Sequence, residues 1–452
     1  MMRNIHTIIG AGPVGLLLGC LLAKRGIPCQ VLEQTERRSE LTKALMIHSA
    51  SLDILSTIDV DGEILERGLH QRYIHFDVDG DTRFSLDFSC VAQAGFPGFI
   101  NLRQPVVEDI LERRFVGLGG RVLRGRRLVE LAQDSDSVSF VVETRDGREH
   151  ARVPFLIGCD GANSTVRFLL NAAFTGADYT FQYILAEGLP EVRSLSEDAS
   201  YMAINGHAAL SIVPMDNGEY RIAGPGSHLS LTDGALNRES VETLIRDTGL
   251  AAIPHLSTYS AIRHYTVRER CAERFAVGRV FLCGDAAHVH SPAGGQAMNL
   301  GFGDAFSLAW RLDRNSEVDD VGASWQSERM RIARHVIART QIGPLLTKMR
   351  SHAVCADELT SLAQTYSQLF HDVRDEGDPL CQKRLQRGAR IPNLRLPEGR
   401  SLWATLGTQD NIDLSETAGI GRALAEHFGD NISTVHLRPD FYVDRIEAGA
   451  SL

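Results

Sequence analysis

The residues with the clearest chemical potential are a glycine and an aspartate two-thirds of the way along the chain. Gly284 and Asp285 follow the apolar run 280–283, and a glycine-rich stretch, 292–299, then leads into a helical pattern that extends to about residue 312. The apolar run predicts a short buried strand. Unpaired backbone N–H groups and the helix dipole converge where such a turn meets a helix. The stretch therefore predicts a site for an anionic group.

Three glycines near the N-terminus indicate a second site of this kind. Gly10, Gly12 and Gly15 follow the β-branched run 7–9 and precede an apolar helical pattern, and a second strand pattern ends in Glu33. The glycines allow a tight turn, close approach of a pyrophosphate and close helix packing, while the acid binds a ribose diol. This βαβ unit predicts a dinucleotide site that disfavours a 2′-phosphate. The motif alone does not separate NAD from FAD.

Two further polar residues stand at the ends of predicted elements. Asp160 and Gly161 follow the apolar run 155–158 and precede a helix that Asn163 or Ser164 would cap. Gln104 opens another predicted helix, from which it could reach a polar ligand beyond the N-terminus. Either residue alone is typical of an ordinary turn or surface position, so both gain weight only in combination with the glycine motifs.

The elements that must position these residues change in character along the chain. Short strands and helical patterns alternate up to about residue 174, and from 175 to 270 the pattern is β-rich, with Asn217-Gly218 as a hairpin signal. We therefore expect an antiparallel sheet inserted into an α/β chain. Such a sheet would form a wall for an apolar substrate.

Composition excludes several classes of function. The 452 residues are 43% hydrophobic and 23% charged, with a formal net charge of −10. This acidic balance argues against a nucleic-acid surface, and no stretch is long and apolar enough to span a bilayer. The eight cysteines form no CxxC pair and show no metal-ligand spacing. We expect free thiols, no metal and a cytoplasmic location, since no signal peptide precedes the first strand pattern.

The three motifs in this order resemble those of the class A FAD-dependent aromatic hydroxylases, which include para-hydroxybenzoate, phenol and polyketide hydroxylases. The resemblance covers nearly the whole chain and includes the stretches 102–104, 272–275, 304–310 and 328–329. It implies an α/β fold with a Rossmann-like FAD-binding domain in two parts, 1–174 and 271–387. The antiparallel-sheet substrate domain, 175–270, would be inserted between them.

The C-terminal region, 388–452, resembles a shortened thioredoxin-like domain. Stretches 388–393 and 399–403 match the entry to the third domain of the phenol and polyketide hydroxylases, and 437–443 matches its final strand. Roughly forty residues separate these matches, too few for a full αβ domain. Without a CxxC pair the remnant is no dithiol redox module, so packing or a subunit contact is the better hypothesis.

The resemblance also assigns roles to residues. It places the pyrophosphate on Gly10 to Gly15 and the adenosine ribose on Glu33. Gln104 and Asp285 would contact the ribityl chain, and residues 294–299 would lie beside the isoalloxazine edge. Asp160 would lie in the region shared between FAD and NAD(P)H. The expected FAD-binding residues are Gly10, Gly12, Pro13, Val14, Gly15, Glu33, Gln34, Lys43, Gln104, Asp160, Asp285, Pro292, Gly295, Ala297, Met298 and Asn299.

The implied activity is a monooxygenase reaction on an aromatic ring. FAD, bound tightly but not covalently, would be reduced by transient NAD(P)H, and its C4a-hydroperoxide would hydroxylate a phenolic or polycyclic, polyketide-like substrate. A base or hydrogen-bond acceptor should favour the phenolate. The residue types identify no single group; the candidates are His48, Tyr201, His207 and His228.

Three positions depart from the family pattern: Lys43 and Ala50, each where an Arg is usual, and Ala297, where Gly is usual. A Cβ at residue 297 would either crowd the backbone or alter how the flavin moves between inner and outer positions, or it would be harmless if the local φ is negative. Two alternatives to ring hydroxylation stay open. One is a Baeyer–Villiger or epoxidising monooxygenase on the same fold, since the same peroxyflavin serves either outcome with a different substrate. The other, which the three departures suggest, is a non-catalytic protein that binds flavin or a ligand. A homodimer is also compatible with the sequence.

Overall fold

The computed structural model describes residues 5–78, 82–88, 96, 98–191, 195–205, 209–226, 237–247, 255–292, 295–313, 318–340, 411–413, 432–437 and 443–448. In chain order, the first elements are β1 (His6–Ile9), α1 (Pro13–Lys24), β2 (Cys29–Glu33), β3 (Met46–His48), α2 (Ser49–Ser56), α3 (Asp61–Arg67), β4 (Leu69–Gln71), β5 (Tyr73–Val78), β6 (Thr82–Asp87), β7 (Phe99–Asn101), α4 (Gln104–Gly117), β8 (Arg121–Arg124), β9 (Arg127–Gln133), β10 (Val138–Thr144), β11 (Gly147–Val153) and β12 (Leu156–Gly158). The chain continues with α5 (Thr165–Leu169), β13 (Phe174–Gly188), β14 (Ala199–Ile204), β15 (Ala209–Pro214), β16 (Tyr220–Pro225), α6 (Arg238–Asp247), β17 (Ala261–Ala272), β18 (Ala276–Val277), β19 (Val280–Leu282), β20 (His288–Val289), α7 (Gln296–Asp313), α8 (Val318–Arg339), β21 (Asn411–Asp413), β22 (Ile432–Leu437) and β23 (Val443–Ala448).

A six-stranded sheet of order β18-β19-β12-β1-β2-β8 forms the centre of the first layer. Strand β1 pairs in parallel with both β2 and β12, and β12 pairs in parallel with β19. The carboxyl ends of β1, β12 and β19 therefore meet at one edge of the sheet. This edge is where an open α/β sheet binds its ligands, and all three sequence motifs start there.

Helix α1 lies between this sheet and helices α4 and α7, with which it packs. Its leucines are buried on every side, which explains why its apolar pattern is continuous rather than one-sided. Among the described residues, no helix is both long and apolar enough to cross a membrane.

An eight-stranded sheet of order β20-β17-β13-β16-β15-β14-β5-β6 forms the second layer. Its strands pair antiparallel except β14 with β5, and the Asn217-Gly218 turn joins β15 to β16 as the sequence predicted. One face carries Ile184, Ala203 and Ile222 against α6. On the other face, Met202 and Ile204 belong to a cluster with Met46 and Phe99. Met46 also lies against Gly295 at the start of α7, which packs on α1, so this face is turned toward the first layer.

The structure differs from the predicted domain limits in one respect. Strands β5, β6 and β20 also join the eight-stranded sheet, although they lie outside residues 175–270. Between β8 and β9, Gly125 adopts a φ of +67° and turns the chain. The domain limits at 174, 270 and 387 stay predictions.

Three smaller sheets complete the described structure. Strands β11-β10-β9 and β3-β7-β4 form two of them, and β21-β22-β23 form an antiparallel sheet near the C-terminus. The stretch 437–443, expected as one final strand, instead ends β22 at Leu437 and starts β23 at Val443. Residues 388–410, with the two entry matches, lie outside the described residues.

Candidate cofactor and substrate site

The first glycine turn leaves open backbone donors at the start of α1. Gly10 has a φ of +106°, and a Cβ on it would lie 2.4 Å from the carbonyl oxygen of Cys159. Gly12 caps α1 without a side-chain hydrogen bond, Pro13 occupies the first turn, and a Cβ on Gly12 would meet nothing within 4 Å. The space beside Gly12 is therefore open, and the N–H groups of a first helical turn have no partner within the helix, which suits a phosphate.

Glu33 is held beside this turn. Its Oε2 accepts a hydrogen bond from the backbone N–H of Ala11 at 2.9 Å, and its Oε1 accepts one from the N–H of Thr35 at 2.9 Å. A carboxylate oxygen can accept more than one hydrogen bond. Glu33 can therefore also accept from a ribose diol, while Gln34 next to it is exposed.

Val14 joins the first glycine turn to the Gly284 turn. A Cβ on Gly284, whose φ is +61°, would lie 3.1 Å from a Val14 methyl group, and one on Gly301 would lie 2.5 Å from the same methyl group. Gly15 packs as closely, since a Cβ there would lie 2.1 Å from the carbonyl oxygen of Gly10. The two motifs that start from separate strands are therefore parts of one site.

Asp285 lines the cleft between these turns. It stands in a single 3₁₀ turn, Gly284–Ala286, and its side chain is exposed. Even so, enough protein surrounds the carboxyl that desolvation raises its pKa, against the opposing charges of His288 and Lys43. Exposure combined with desolvation is what a carboxylate on the wall of a deep cleft shows.

A buried ionic network supports the Asp285 turn from behind. Asp304 Oδ2 accepts from the N–H of Gly284 at 3.0 Å and lies 2.6 Å from His288 Nε2, while Oδ1 accepts from Arg329 Nε at 2.8 Å. Burial opposes ionisation of Asp304, but His288 and Arg329 outweigh it and lower the pKa of the carboxyl. The sequence placed Asp304 and Arg329 in family-like stretches but gave them no role. Their link to Gly284 is non-local and left no local signal.

The Asp160 carboxylate accepts its hydrogen bonds from groups of its own loop. Its Oδ1 accepts from the Ser164 hydroxyl at 2.5 Å and its Oδ2 from the N–H of Val166 at 3.0 Å. Ser164 in turn caps α5, one of the two caps that the sequence predicted. Asp160 therefore fixes the loop shape, and burial raises the pKa of its carboxyl.

Arg167 connects the Asp160 loop to the Asp285 turn, a role that the sequence did not reveal. Its guanidinium donates to the carbonyl oxygen of Ala286 at 2.8 Å and to that of Ala162 at 2.7 Å. It also stacks 3.8 Å above the ring of Phe174. An Arg three positions after the predicted N-cap Ser164 was the available signal, but nothing local indicated its distant partner.

The N-terminus of α7 forms the remaining wall. Gly295 has a φ of +62°, and a Cβ on it would lie 2.8 Å from that of Met46. Ala297 lies in the helix itself and has no positive φ, so its side chain costs no backbone strain. Met298 is buried in the core and Pro292 is exposed.

The segment 42–44 closes the site on the side of the second sheet. The backbone N–H of Ala44 donates to Gln104 Oε1 at 2.9 Å. The carbonyl oxygens of Thr42 and Lys43 accept from Arg221 at 2.7 Å and 3.0 Å. Ala50, the other departure from the family pattern, is buried in the main core.

The comparisons with known proteins agree with this geometry. Residues 5–340 match the family model described as FAD binding domain. The chain is 30% identical to an uncharacterized aromatic compound monooxygenase, YhjG, of Bacillus subtilis (strain 168), over 98% of this chain and 94% of the relative. It is 30% identical to the rifampicin monooxygenase of Streptomyces venezuelae, over 96% and 94%. The chain belongs to the FAD binding domain family.

A solved structure supports the same assignment. The OxyS anhydrotetracycline hydroxylase from Streptomyces rimosus superimposes with a TM-score of 0.76 at 25% identity, covering 99% of this chain and 96% of that one. The family resemblance, the α/β fold, the FAD cofactor and the FAD-dependent aromatic monooxygenase activity that the sequence predicted are confirmed.

The residues present in this FAD-dependent monooxygenase fit the cofactor. The open donors at Gly12 suit a pyrophosphate, Glu33 suits a ribose diol, and the cleft-lining carboxylate of Asp285 suits a chain of hydroxyl groups. These features line one edge of the parallel sheet, which is where a bound dinucleotide would lie.

The two described candidates for the catalytic residue, His48 and Tyr201, are not brought together in this monooxygenase. His48 is buried, and its Nε2 lies 3.2 Å from the Gln296 amide nitrogen. Tyr201 is on the α6 face of the eight-stranded sheet, where its hydroxyl accepts from the N–H of Ser196 at 3.0 Å. This face is turned away from the first layer, which contains the FAD cleft. His207 and His228 lie outside the described residues.

Proposed function

We propose that this enzyme uses NAD(P)H and O₂ to hydroxylate a phenolic ring of a multi-ring aromatic compound. Relatives named for anhydrotetracycline and rifampicin support a substrate of this size. The structural observation that carries the proposal is one face of the eight-stranded sheet, the face turned toward the first layer and its FAD cleft. This face combines apolar side chains with a cationic edge.

The apolar part of this face spans three neighbouring strands. Tyr183, Leu185, Ala223 and Val267 form one buried cluster across β13, β16 and β17. The ring of Tyr265 lies 5.5 Å from that of Tyr183 and is 37% exposed. Desolvation raises the pKa of Tyr183 to about 12 and also raises that of Tyr265. The hydroxyl of Tyr265 therefore stays a neutral donor that can bind a phenolic oxygen.

A cationic edge lies next to the tyrosines. Glu187 Oε1 accepts from Arg221 at 2.5 Å, and Oε2 accepts from Arg263 at 3.1 Å. One carboxylate between two guanidinium groups leaves a net positive charge on this edge. That charge would favour the phenolate form of a substrate, which raises the electron density of the ring without a dedicated base.

We assign the FAD contacts to the residues that line the cleft. Gly10, Gly12, Pro13, Val14 and Gly15 would hold the pyrophosphate, Glu33 and Gln34 the adenosine ribose, and Asp285 the ribityl hydroxyls. Pro292, Gly295, Ala297, Met298 and Asn299 would place the α7 dipole near the isoalloxazine, where it favours negative charge. Lys43, Gln104 and Asp160 would act through the segments that they anchor.

Bound FAD supplies electron transfer from NAD(P)H and the activation of O₂. The protein holds the aromatic substrate against that group and keeps water out. The apolar cluster around Leu185 serves the second task, while Tyr265 and Arg263 orient the phenolic oxygen.

The test is to measure which compounds accelerate reduction of the purified yellow protein by NADH or NADPH. Anhydrotetracycline, rifampicin and pentachlorophenol would be compared, with products analysed by mass spectrometry and NMR. We expect the multi-ring phenols to accelerate reduction and to gain one oxygen as a ring hydroxyl. An oxygen inserted beside a carbonyl or an epoxide would favour the alternative reactions, and a preference for the single-ring phenol would contradict the proposed substrate class.

We further infer a cytoplasmic location, because NAD(P)H is available there and the five described cysteines are all free thiols. A homodimer stays a prediction that size-exclusion chromatography with light scattering would test.

A further inference from the structure

Glu108 is a buried carboxylate to which the FAD site gives no direct role. It lies on α4 one turn after Gln104 and is only 7% exposed. Its Oε1 accepts a hydrogen bond from Gln104 Nε2 at 2.8 Å. Charged groups act on it from three other segments: Lys43, Arg124 on β8 and Glu33 on β2. A buried carboxylate is costly, so the short hydrogen bond between Glu108 and Gln104 calls for an explanation.

The consequence of that link is a fixed orientation of the Gln104 amide. Its carbonyl oxygen accepts from the N–H of Ala44, and its NH₂ group donates to Glu108. An ionised carboxylate accepts hydrogen bonds and cannot donate them. A flipped amide would therefore bring its carbonyl oxygen against the carboxylate and its NH₂ group against the N–H of Ala44. Ionised Glu108 permits only the orientation that holds Ala44.

Ala44 belongs to the segment 42–44, which is held from both layers. Arg221 of the second sheet binds the carbonyl oxygens of Thr42 and Lys43, and Gln104 of the first layer binds the N–H of Ala44. The charge of Lys43 also acts on both Glu108 and Asp285. Loss of one anchor would loosen the segment that places this cation beside the cleft.

We propose that Glu108 is a positioning residue for FAD, whose ionised carboxylate fixes Gln104 and thereby holds segment 42–44 against the cofactor cleft. The inference rests on the FAD site of the proposed function. Its test measures FAD binding and backbone exchange rather than hydroxylation, so that a wrong substrate class and a wrong role for Glu108 give different results.

The experiment compares Glu108→Gln with Asp109→Asn. Asp109 is the adjacent carboxylate on α4, but it pairs with Arg38 and Arg113 at the surface, so its variant removes the same charge without touching Gln104. FAD affinity of the apoprotein would be measured by flavin fluorescence from pH 5 to 8, and hydrogen exchange would be followed at Ala44. The Glu108→Gln variant keeps the size and an acceptor but permits either amide orientation.

Burial raises the pKa of Glu108, so the carboxyl takes up a proton at a higher pH than an ordinary Glu and then ceases to fix the amide. Wild-type FAD affinity should therefore fall as the pH falls through that raised pKa. We expect Glu108→Gln to lose this acid limb, to bind FAD about tenfold more weakly at neutral pH, as for one hydrogen bond to a charged group, and to exchange faster at Ala44. Asp109→Asn should match the wild type in all three.

Identical affinity, pH profile and Ala44 exchange in Glu108→Gln and wild type would overturn the proposal, as would an equal change in Asp109→Asn. If Glu108→Gln does not fold, Glu108→Asp takes its place, because it keeps the charge but shortens the reach. Faster exchange at Ala44 with the acid limb retained would then support the proposal. Exchange equal to that of the wild type would overturn it.

Discussion

The side-chain oxygen of Asn299 accepts a hydrogen bond from the backbone N–H of His48 at 2.9 Å, although 251 positions separate the two residues. The same oxygen accepts from the Ser51 hydroxyl at 2.7 Å, and the amide nitrogen donates to the carbonyl oxygens of Met46 and Gly295. Asn299 thus fastens the start of α2 to the start of α7. Its side chain acts on the cofactor site through the backbone that it holds.

Asn299→Ala should be strongly destabilising, because it leaves the N–H of His48 and two carbonyl groups without this partner in a buried place. We expect a loss of about 3 kcal/mol in the free energy of unfolding together with weaker FAD retention, measured by urea denaturation and flavin release. Ser51→Ala, which removes one of these bonds, should cost about 1 kcal/mol. Equal stability of the Asn299 variant and the wild type would show that these hydrogen bonds do not stabilise the fold.

Ala297→Gly should change the rate of flavin reduction by NAD(P)H. Since Ala297 is helical with no positive φ, its Cβ causes no backbone strain, and the remaining consequence of the side chain is the space that it fills at the cleft. Stopped-flow absorbance measures the rate. The control is Ala323→Gly, at an exposed position of α8, which should lose about 1 kcal/mol of stability without altering reduction. Unchanged reduction kinetics in Ala297→Gly would remove the idea that this Cβ matters.

Asp285→Asn should stabilise the apoprotein near neutral pH and weaken its binding of FAD. Desolvation raises the pKa of Asp285 in the folded state, so its ionised form opposes folding at pH values above that pKa. The amide removes this opposition but also removes the charged acceptor for ribityl hydroxyls. Thermal unfolding with and without FAD separates the two effects. A less stable apoprotein would contradict the sign of this prediction.

Asp304, paired with Arg329, should make stability rise with pH, whereas ionisation of Asp285 opposes folding. The pKa of Asp304 is lower in the folded state than in the unfolded chain, so its stabilisation is complete above about pH 4 and is lost as the pH falls through the lowered value. Urea denaturation of wild type and Asp304→Asn at several pH values measures this slope. The variant should lack the contribution that the wild type loses on acidification. The same dependence of unfolding free energy on pH in both proteins would show that groups other than Asp304 cause the acid sensitivity.

The sequence predicted the parts of the site that are formed locally. The unit β1–α1–β2 with Gly10 and Glu33 follows from turn chemistry and strand patterns within about thirty residues, and the Asp285 turn follows from an apolar strand and a glycine. Nothing local indicated that Asp304 binds Gly284 or that Arg167 binds Ala286, because those partners lie on separate elements, a helix and the Gly284–Ala286 turn, that only the packing of the fold brings together.

Side-chain direction was harder to predict than element type. Tyr201 lies in a β-rich segment as expected, yet the alternation of β14 places it with Ala203 against α6 rather than toward the FAD layer. One residue along the strand reverses the face. The predicted substrate domain did not include strands β5 and β6. The reason is related, because the pairing of β5 with β14 is non-local and leaves no pattern in the sequence.

The most direct test of the central claim is to supply isotopically heavy O₂ to the purified protein with NADPH or NADH and a multi-ring phenol. FAD content would be measured on the same sample. The account predicts a yellow protein with one FAD per chain, and a product that carries one heavy oxygen atom on its ring for each NAD(P)H consumed. A colourless protein that takes up no FAD, or a product oxygen that comes from water, would contradict it.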